Sequence, residues 1–292
     1  MIDLLDIRYV RLATRDLVGA DRFARECIGL QAVRQEHGAH YYCSDARDHT
    51  LVYMEGDPQD PCVGFELRDA SALDAAAAAL SNAGNDVTLG SASECEMRRV
   101  GAFVRFRDPT GNAIELVVRP QHSGRRYVPA RDAGITGFSH IGLCSTDAPR
   151  DEAFWTGQLS ARVSDRIGQA ALLRIDEVHH RIALFPTTRA GVQHINHQVA
   201  SVDDVMRAWY ELKARGVKIV FGPGRHPTSG AIFLYFEGPD GMVFEYSTGV
   251  RHIRREDEAS YQPRQFPAEP ASFCMWGALP DIAEFKNRPD AP

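Results

Sequence analysis

The sequence predicts an α+β chain of two tandem domains, each built from two βαβββ modules. Three features carry that expectation. Short apolar runs alternate with polar residues in the manner of half-buried strands, helix-length stretches interrupt them, and the whole pattern occurs twice. GFSHIGLCSTD (137–147) matches IRYVRLATRD (7–16) at an offset of 131. INHQVASVDDVMRAWYELKARGV (195–217) matches VGFELRDASALDAAAAALSNAGN (63–85) at an offset of 132. AIFLYFEGPDGMVFEY (231–246) matches AFVRFRDPTGNAIELV (102–117) in the register, an offset of 130, that sets Pro239 over Pro109 and Glu245 over Glu115. The expected division is a domain over 1–131, a second over 132–250, and a proline-bearing tail over 251–292 whose Cys274, Met275 and Trp276 suit packing on the body.

In chain order, 5–14 (LDIRYVRLAT) reads as a strand, and Asp16 can cap a helix to about Cys27 with apolar positions at Leu17, Ala20, Phe23 and Ala24. Strands are expected over 31–35, 39–43 and 50–54, completing one βαβββ module. A second begins with a strand over 63–67 and an alanine-rich helix over 71–83 that stops at Gly84. Strands over 86–89, 102–107 and 113–118 follow, the last two joined by the turn Asp108 to Gly111. PQHSGRRYVPARD (120–132) is polar, aperiodic and holds two prolines, which marks an interdomain linker.

The chain has 292 residues, 44% hydrophobic and 25% charged, which suits two ordinary cores. A net charge of −6 with no block of like charge argues against nucleic acid or an anionic membrane as partner. No apolar run approaches the ~18 residues needed to span a bilayer, and MIDLLDIRYV lacks the pattern of a signal peptide. Six scattered cysteines without a CxxC read as reduced thiols of a cytoplasmic protein.

The chemistry lies in the second copy. Glu245 stands between Met242, Val243, Phe244 and Tyr246, and a carboxylate in a buried apolar strand is costly unless paired or bound to a metal. Tyr9 in the first copy aligns with His140 in the second, and Cys62 with His194; of the three positions only the glutamates, Glu115 and Glu245, match. The second copy thus sets His140, His194 and Glu245 on three separate strands. Two imidazoles and one carboxylate occupy one face of an octahedral ion and leave the other open, which suits Fe(II) meeting a substrate and O2 side by side. Mn(II) fits the same ligands, and spacing alone does not exclude Zn. Strand alternation sends His194 and His197 to opposite faces, so only one can be a ligand; His197 is expected at the surface or behind the ligands.

FSHIGL around His140, HHRIALFPTT (179–188), HINHQV around His194, GRHP (224–227), Tyr235 and the run Phe244, Glu245, Tyr246 together resemble the type I extradiol dioxygenases of the vicinal oxygen chelate superfamily, which open catechol rings by meta cleavage. The resemblance covers about 1–250 and is strongest over 137–247. It implies that each pair of modules forms a curved, barrel-like mixed sheet around a central funnel. It further implies that His140, His194 and Glu245 hold iron, that His180 is the acid–base histidine with His179 facing away, and that His226 and Tyr235 assist as donors. The family commonly carries an acidic residue three positions beyond the histidine of GRH; here that position is Ser229.

The activity so implied is insertion of both atoms of O2 into a substituted, 2,3-dihydroxybiphenyl-like catechol beside its diol, giving a muconic semialdehyde-type product in the degradation of aromatic compounds. A homo-oligomer is the family tendency. Two other classes share the fold: a metal-dependent isomerase or lyase of the glyoxalase type, which usually needs a fourth protein ligand, and a non-enzymatic small-molecule binder, which needs no inner histidines.

Overall fold

The computed structural model describes residues 1–285 and contains two open mixed sheets of matching topology. The first holds β1 (Asp6–Thr14), β2 (Gln31–Glu36), β3 (Ala39–Cys43), β4 (Leu51–Glu55), β5 (Cys62–Glu66), β6 (Thr88–Leu89), β7 (Ala102–Arg107) and β8 (Ala113–Val118). Their order across the sheet is β2-β3-β4-β1-β5-β8-β7-β6. The second holds β9 (Ile135–Ser145), β10 (Arg162–Ile167), β11 (Ala170–Arg174), β12 (Ile182–Pro186), β13 (Val192–Val199), β14 (Ile219–Arg225), β15 (Ile232–Glu237), β16 (Val243–Thr248) and β17 (Arg264–Phe266), in the order β14-β15-β16-β13-β9-β12-β11-β10-β17. In each, the opening strand runs parallel to the last strand of its own module and antiparallel to the first strand of the next: β1 with β4 and β5, β9 with β12 and β13.

The helices follow from local chemistry. Asp16 accepts from the Gly19 amide at 2.8 Å and starts α1 (Leu17–Arg22), which loosens into a π-turn over Phe23–Ile28 and ends at Gly29, φ +82°. α2 (Ala70–Asn82) is capped by Asp69 and is followed by Gly84 in the left-handed region, φ +87°. α3 (Ala92–Arg98), which the periodicity does not announce, is held by a capping box between Ser91 and Glu94 and shortens the strand expected over 86–89 to two residues. α4 (Ala148–Gly157) is capped by Asp147. α5 (Val202–Ala214) starts at Ser201 and buries Val205, Ala208 and Leu212, one face of a 3.6-residue period.

One continuous apolar core joins the two sheets. Trp155 of α4 is fully buried and meets Phe65 of β5 edge-on, ring centroids 5.6 Å apart. Phe23 packs on Phe236 and Phe244 of the second sheet at 6.3 and 6.0 Å. The segment between Val118 and Ile135 carries no helix or strand, yet its Arg131 is buried and donates to the Cys27 carbonyl at 2.8 Å. The tail contributes more than packing. β17 runs parallel to β10 and extends the second sheet, while Phe273, Cys274, Ile282 and Phe285 close an apolar cluster with Phe221, Phe233 and Tyr235. No helix among the described residues is long and apolar enough to cross a membrane.

Candidate metal centre

The centre is built where β9, β13 and β16 run side by side. β13 lies between the other two, with Asn196 opposite both His140 and Glu245 and His194 opposite Gly142. Alternation along β16 explains the carboxylate in an apolar strand. Phe244 and Tyr246 turn to the core, where the Tyr246 hydroxyl donates to the Ile28 carbonyl at 2.6 Å, and Glu245 turns the other way. Glycine is required at 142: a Cβ there would stand 2.4 Å from Nδ1 of His194.

His140, His194 and Glu245 converge as expected. His140 Nε2 is 3.1 Å from His194 Nε2 and 3.0 Å from Glu245 Oε2, and His194 Nε2 is 3.4 Å from the same oxygen. Ligands at right angles about 2.1 Å from an ion stand about 3.0 Å apart, tetrahedral ones about 3.4 Å. Two sides of the triangle match the octahedral spacing. All three residues are buried, and Glu245 Oε2 has no geometrically sound hydrogen bond. The donor set therefore fits a divalent ion: an orphaned, buried carboxylate oxygen faces two imidazole nitrogens. Gln193, adjacent in sequence, takes a short hydrogen bond from Nδ1 of His194, which leaves Nε2 of that ring bare for a metal.

The charges agree with this. Burial alone would raise the Glu245 carboxyl, but His140, His226 and His194 outweigh it and hold it below the ordinary carboxylate range. Burial pushes His194 down to about 3 against the opposing pull of Glu245, so its ring is neutral, as a ligand must be.

The other predicted residues gather around the triangle. His180 lies over the His140 ring, centroids 4.2 Å apart, and burial, reinforced by His140, His179, His194 and His226, holds it well below the usual histidine range. Tyr235 is raised well above an ordinary phenol, by burial first and Glu245 second, so its hydroxyl keeps its proton. That hydroxyl lies 3.3 Å from His226 Nε2. His226 Nδ1 donates to the Phe273 carbonyl at 2.7 Å, since a carbonyl can only accept. The anchor expected from an acidic residue at 229 is thus rerouted. Ser229 is fully buried, its Oγ accepts from the Ala231 amide, and a backbone carbonyl from the tail holds His226 instead.

His197 is a correction. It is 1% exposed, not at the surface; β13 buries it on the opposite face, near Phe138, and both ring nitrogens lack hydrogen bonds. His179 does face away from the triangle, but onto a buried Asp165, whose Oδ2 it contacts through Nε2 at 2.8 Å. Asp165 carried a weaker signal than Glu245, since its neighbours in RVSDRI (162–167) are mostly polar. Gln193 and the Phe273 carbonyl carried none, because nothing in their residue types marks the contact.

Residues 137–246 match the family model described as Glyoxalase/Bleomycin resistance protein/Dioxygenase superfamily. The chain is 26% identical over 278 residues to the biphenyl-2,3-diol 1,2-dioxygenase of Sphingomonas paucimobilis, covering 88% of this chain and 92% of that one. It is 25% identical over 298 residues to an iron-dependent extradiol dioxygenase of Rhodococcus jostii (strain RHA1), covering 94% and 97%. Among solved structures, the Mn(II)-bound glyoxalase from Novosphingobium aromaticivorans superposes with a TM-score of 0.87 at 25% identity, covering 100% of this chain and 96% of that one. Residues 137–246 are thus similar to the domains of this superfamily. The relatives that match it over most of its length are extradiol dioxygenases.

Proposed function

We propose that this protein is an extradiol ring-cleaving dioxygenase that inserts both oxygen atoms of O2 into a hydrophobic, 2,3-dihydroxybiphenyl-like catechol beside its diol. The carrying observation is the triangle of His140 Nε2, His194 Nε2 and Glu245 Oε2 with sides of 3.0 to 3.4 Å, flanked by the neutral base His180 and the protonated Tyr235. Iron(II), held by those three side chains, would supply the Lewis acidity that loosens the diol protons and the redox chemistry toward O2.

The protein's own groups do the rest. His180, neutral because it is buried among other histidines, takes a hydroxyl proton from the diol. Tyr235 keeps its proton and offers a donor to the diol oxygen. That single proton faces His226 Nε2 at 3.3 Å in the free protein, with His226 locked on the Phe273 carbonyl, and would turn to the diol oxygen when the diol binds. Phe185, Phe221 and Phe285, within 6 Å of His194 or Tyr235 by ring centroid, supply the apolar wall that a ring substituent needs. The product is a muconic semialdehyde-type dienoate that retains every atom of diol and O2.

A glyoxalase-type isomerase is the second reading, favoured by the likeness to a Mn(II)-bound glyoxalase. Against it, the group that could hold a metal among the described residues has three members, not four. The test loads the protein anaerobically with Fe(II), adds 2,3-dihydroxybiphenyl in air and follows colour and oxygen. A yellow product with one O2 consumed per diol is expected, and loaded protein that binds the diol without colour or oxygen uptake sinks the proposal. Parallel loading with Mn(II) decides the metal. Six scattered cysteines with no disulfide among the described residues support a cytoplasmic setting, and the exposed Met275, Trp276 and Leu279 support a homo-oligomer.

A further inference from the structure

A chain of hydrogen bonds runs from the tail to the flank of the metal centre. Asp165 on β10 is fully buried and receives Arg264 three times from one side: the backbone amide at 2.9 Å, Nε at 3.1 Å and Nη2 at 2.6 Å. Arg251 reaches the same carboxylate at 3.3 Å and is itself braced on the Tyr261 hydroxyl at 2.7 Å. Tyr261 in turn donates to the Ser164 carbonyl at 2.9 Å. These partners come from 251–264, the stretch that leads into and begins β17. On its other side, Asp165 Oδ2 lies 2.8 Å from His179 Nε2, and His179 Nδ1 lies 3.1 Å from His180 Nδ1.

Each link fixes the next. Burial would raise the Asp165 carboxyl, but His179 and Arg264 hold it below the ordinary range, so it is ionised and can only accept. His179 Nε2 must then carry a proton. Burial keeps His179 neutral despite Asp165, so its Nδ1 is bare and can only accept. His180 Nδ1 must be the donor to it. A neutral His180 whose proton sits on Nδ1 has its lone pair on Nε2.

We infer that Asp165 and His179, clamped by Arg251 and Arg264 of the tail, are positioning residues that fix His180 in the tautomer with Nε2 free to accept a proton. This rests on the dioxygenase reading for the consequence, but not for the geometry. The tail is thereby functional at two points, since the Phe273 carbonyl also locks His226.

The test uses the full chain carrying His179→Phe, which fills the space without a hydrogen bond, and His179→Gln, whose amide can donate to Asp165 and accept from His180. Nitrogen-15 spectra of the Zn(II)-loaded proteins read the His180 tautomer. Fe(II)-loaded proteins give metal content, kcat and KM. The wild type should show His180 with its proton on Nδ1, and His179→Phe should lose that preference. In His179→Phe, kcat should fall about 10- to 100-fold with iron content and KM within about twofold, and His179→Gln should recover most of it. A His180 tautomer unchanged by His179→Phe overturns the inference, as does a fall in kcat that only tracks lost iron. If the tautomer changes but the wild type cleaves no diol, the hydrogen-bond chain stands and the dioxygenase reading falls.

Discussion

Glu115 and Glu245 occupy the same place in two copies of one sheet, each on the closing strand beside a parallel neighbour, β5 or β13. Both are 1% exposed. Glu115 is satisfied by the protein: Arg98 grips it twice, at 2.8 and 2.6 Å, and the Tyr9 hydroxyl donates at 2.7 Å. Glu245 faces two imidazole nitrogens and keeps an oxygen without a sound hydrogen bond. The same buried negative charge is met by a fixed guanidinium in one copy and by two imidazoles that could share a metal ion with it in the other. The neighbours changed with it. Where the second sheet has His140, Gly142, His194 and Tyr235, the first has Tyr9, Arg11, Cys62 and Arg105. A structural domain and a chemical one thus differ by a handful of side chains on one scaffold.

Breaking the second site should have the largest effect. His140→Ala, His194→Ala or Glu245→Ala should abolish iron binding and cut ring cleavage by about 10³-fold or more, while secondary structure by circular dichroism persists. Retained iron in any of the three would dissolve the contrast. Breaking the first site should do the opposite. Arg98→Met leaves Glu115 buried and unpaired, so stability in urea should drop by about 3–5 kcal/mol while the folded fraction keeps its iron; lost iron at unchanged stability would show that the two copies are not separable. Gly142→Ala is subtler. Its Cβ would press on the His194 ring, and metal affinity in a chelator competition should weaken about 10- to 100-fold.

The smallest effect separates the glutamates by pH. Arg98 outweighs burial and holds the Glu115 carboxyl below its ordinary range. A depressed carboxylate contributes stability above its unfolded value of about 4.3 and loses it as pH falls through the folded value. Glu115→Gln should therefore flatten the decline of the urea midpoint below about pH 4. A midpoint that declines as steeply in this variant as in the wild type would assign the acid sensitivity elsewhere.

Much of this was legible in the chain itself. The repeat set the two sheets in matching topology, and alternation placed most strand bounds within a residue or two, because period-2 burial leaves its mark directly on residue type. The metal set was legible for a sharper reason: a lone carboxylate amid Phe244 and Tyr246, with histidines at positions where the repeat mates are Tyr9 and Cys62, breaks the apolar pattern. Helix α3 was not, since its capping box of Ser91 and Glu94 lies in a short polar stretch with little apolar period. Nor was β17, a three-residue strand of the tail that pairs with β10 where Arg264 binds Asp165.

Residue order alone determined that this protein would carry one buried two-histidine, one-carboxylate set on a duplicated β scaffold, since such a set must be written as polar residues in apolar strands. Only the folded chain decided how the surrounding groups are aimed. The Phe273 carbonyl on His226 and the path from Arg264 through Asp165 to His179 join segments up to about a hundred residues apart, and Gln193 on His194 and His179 on His180 depend on how neighbouring side chains turn. Backbone carbonyls are the same in every residue, and a hydrogen bond's direction depends on where its partner ends up, so that information exists only once the sheets have closed and the tail has docked.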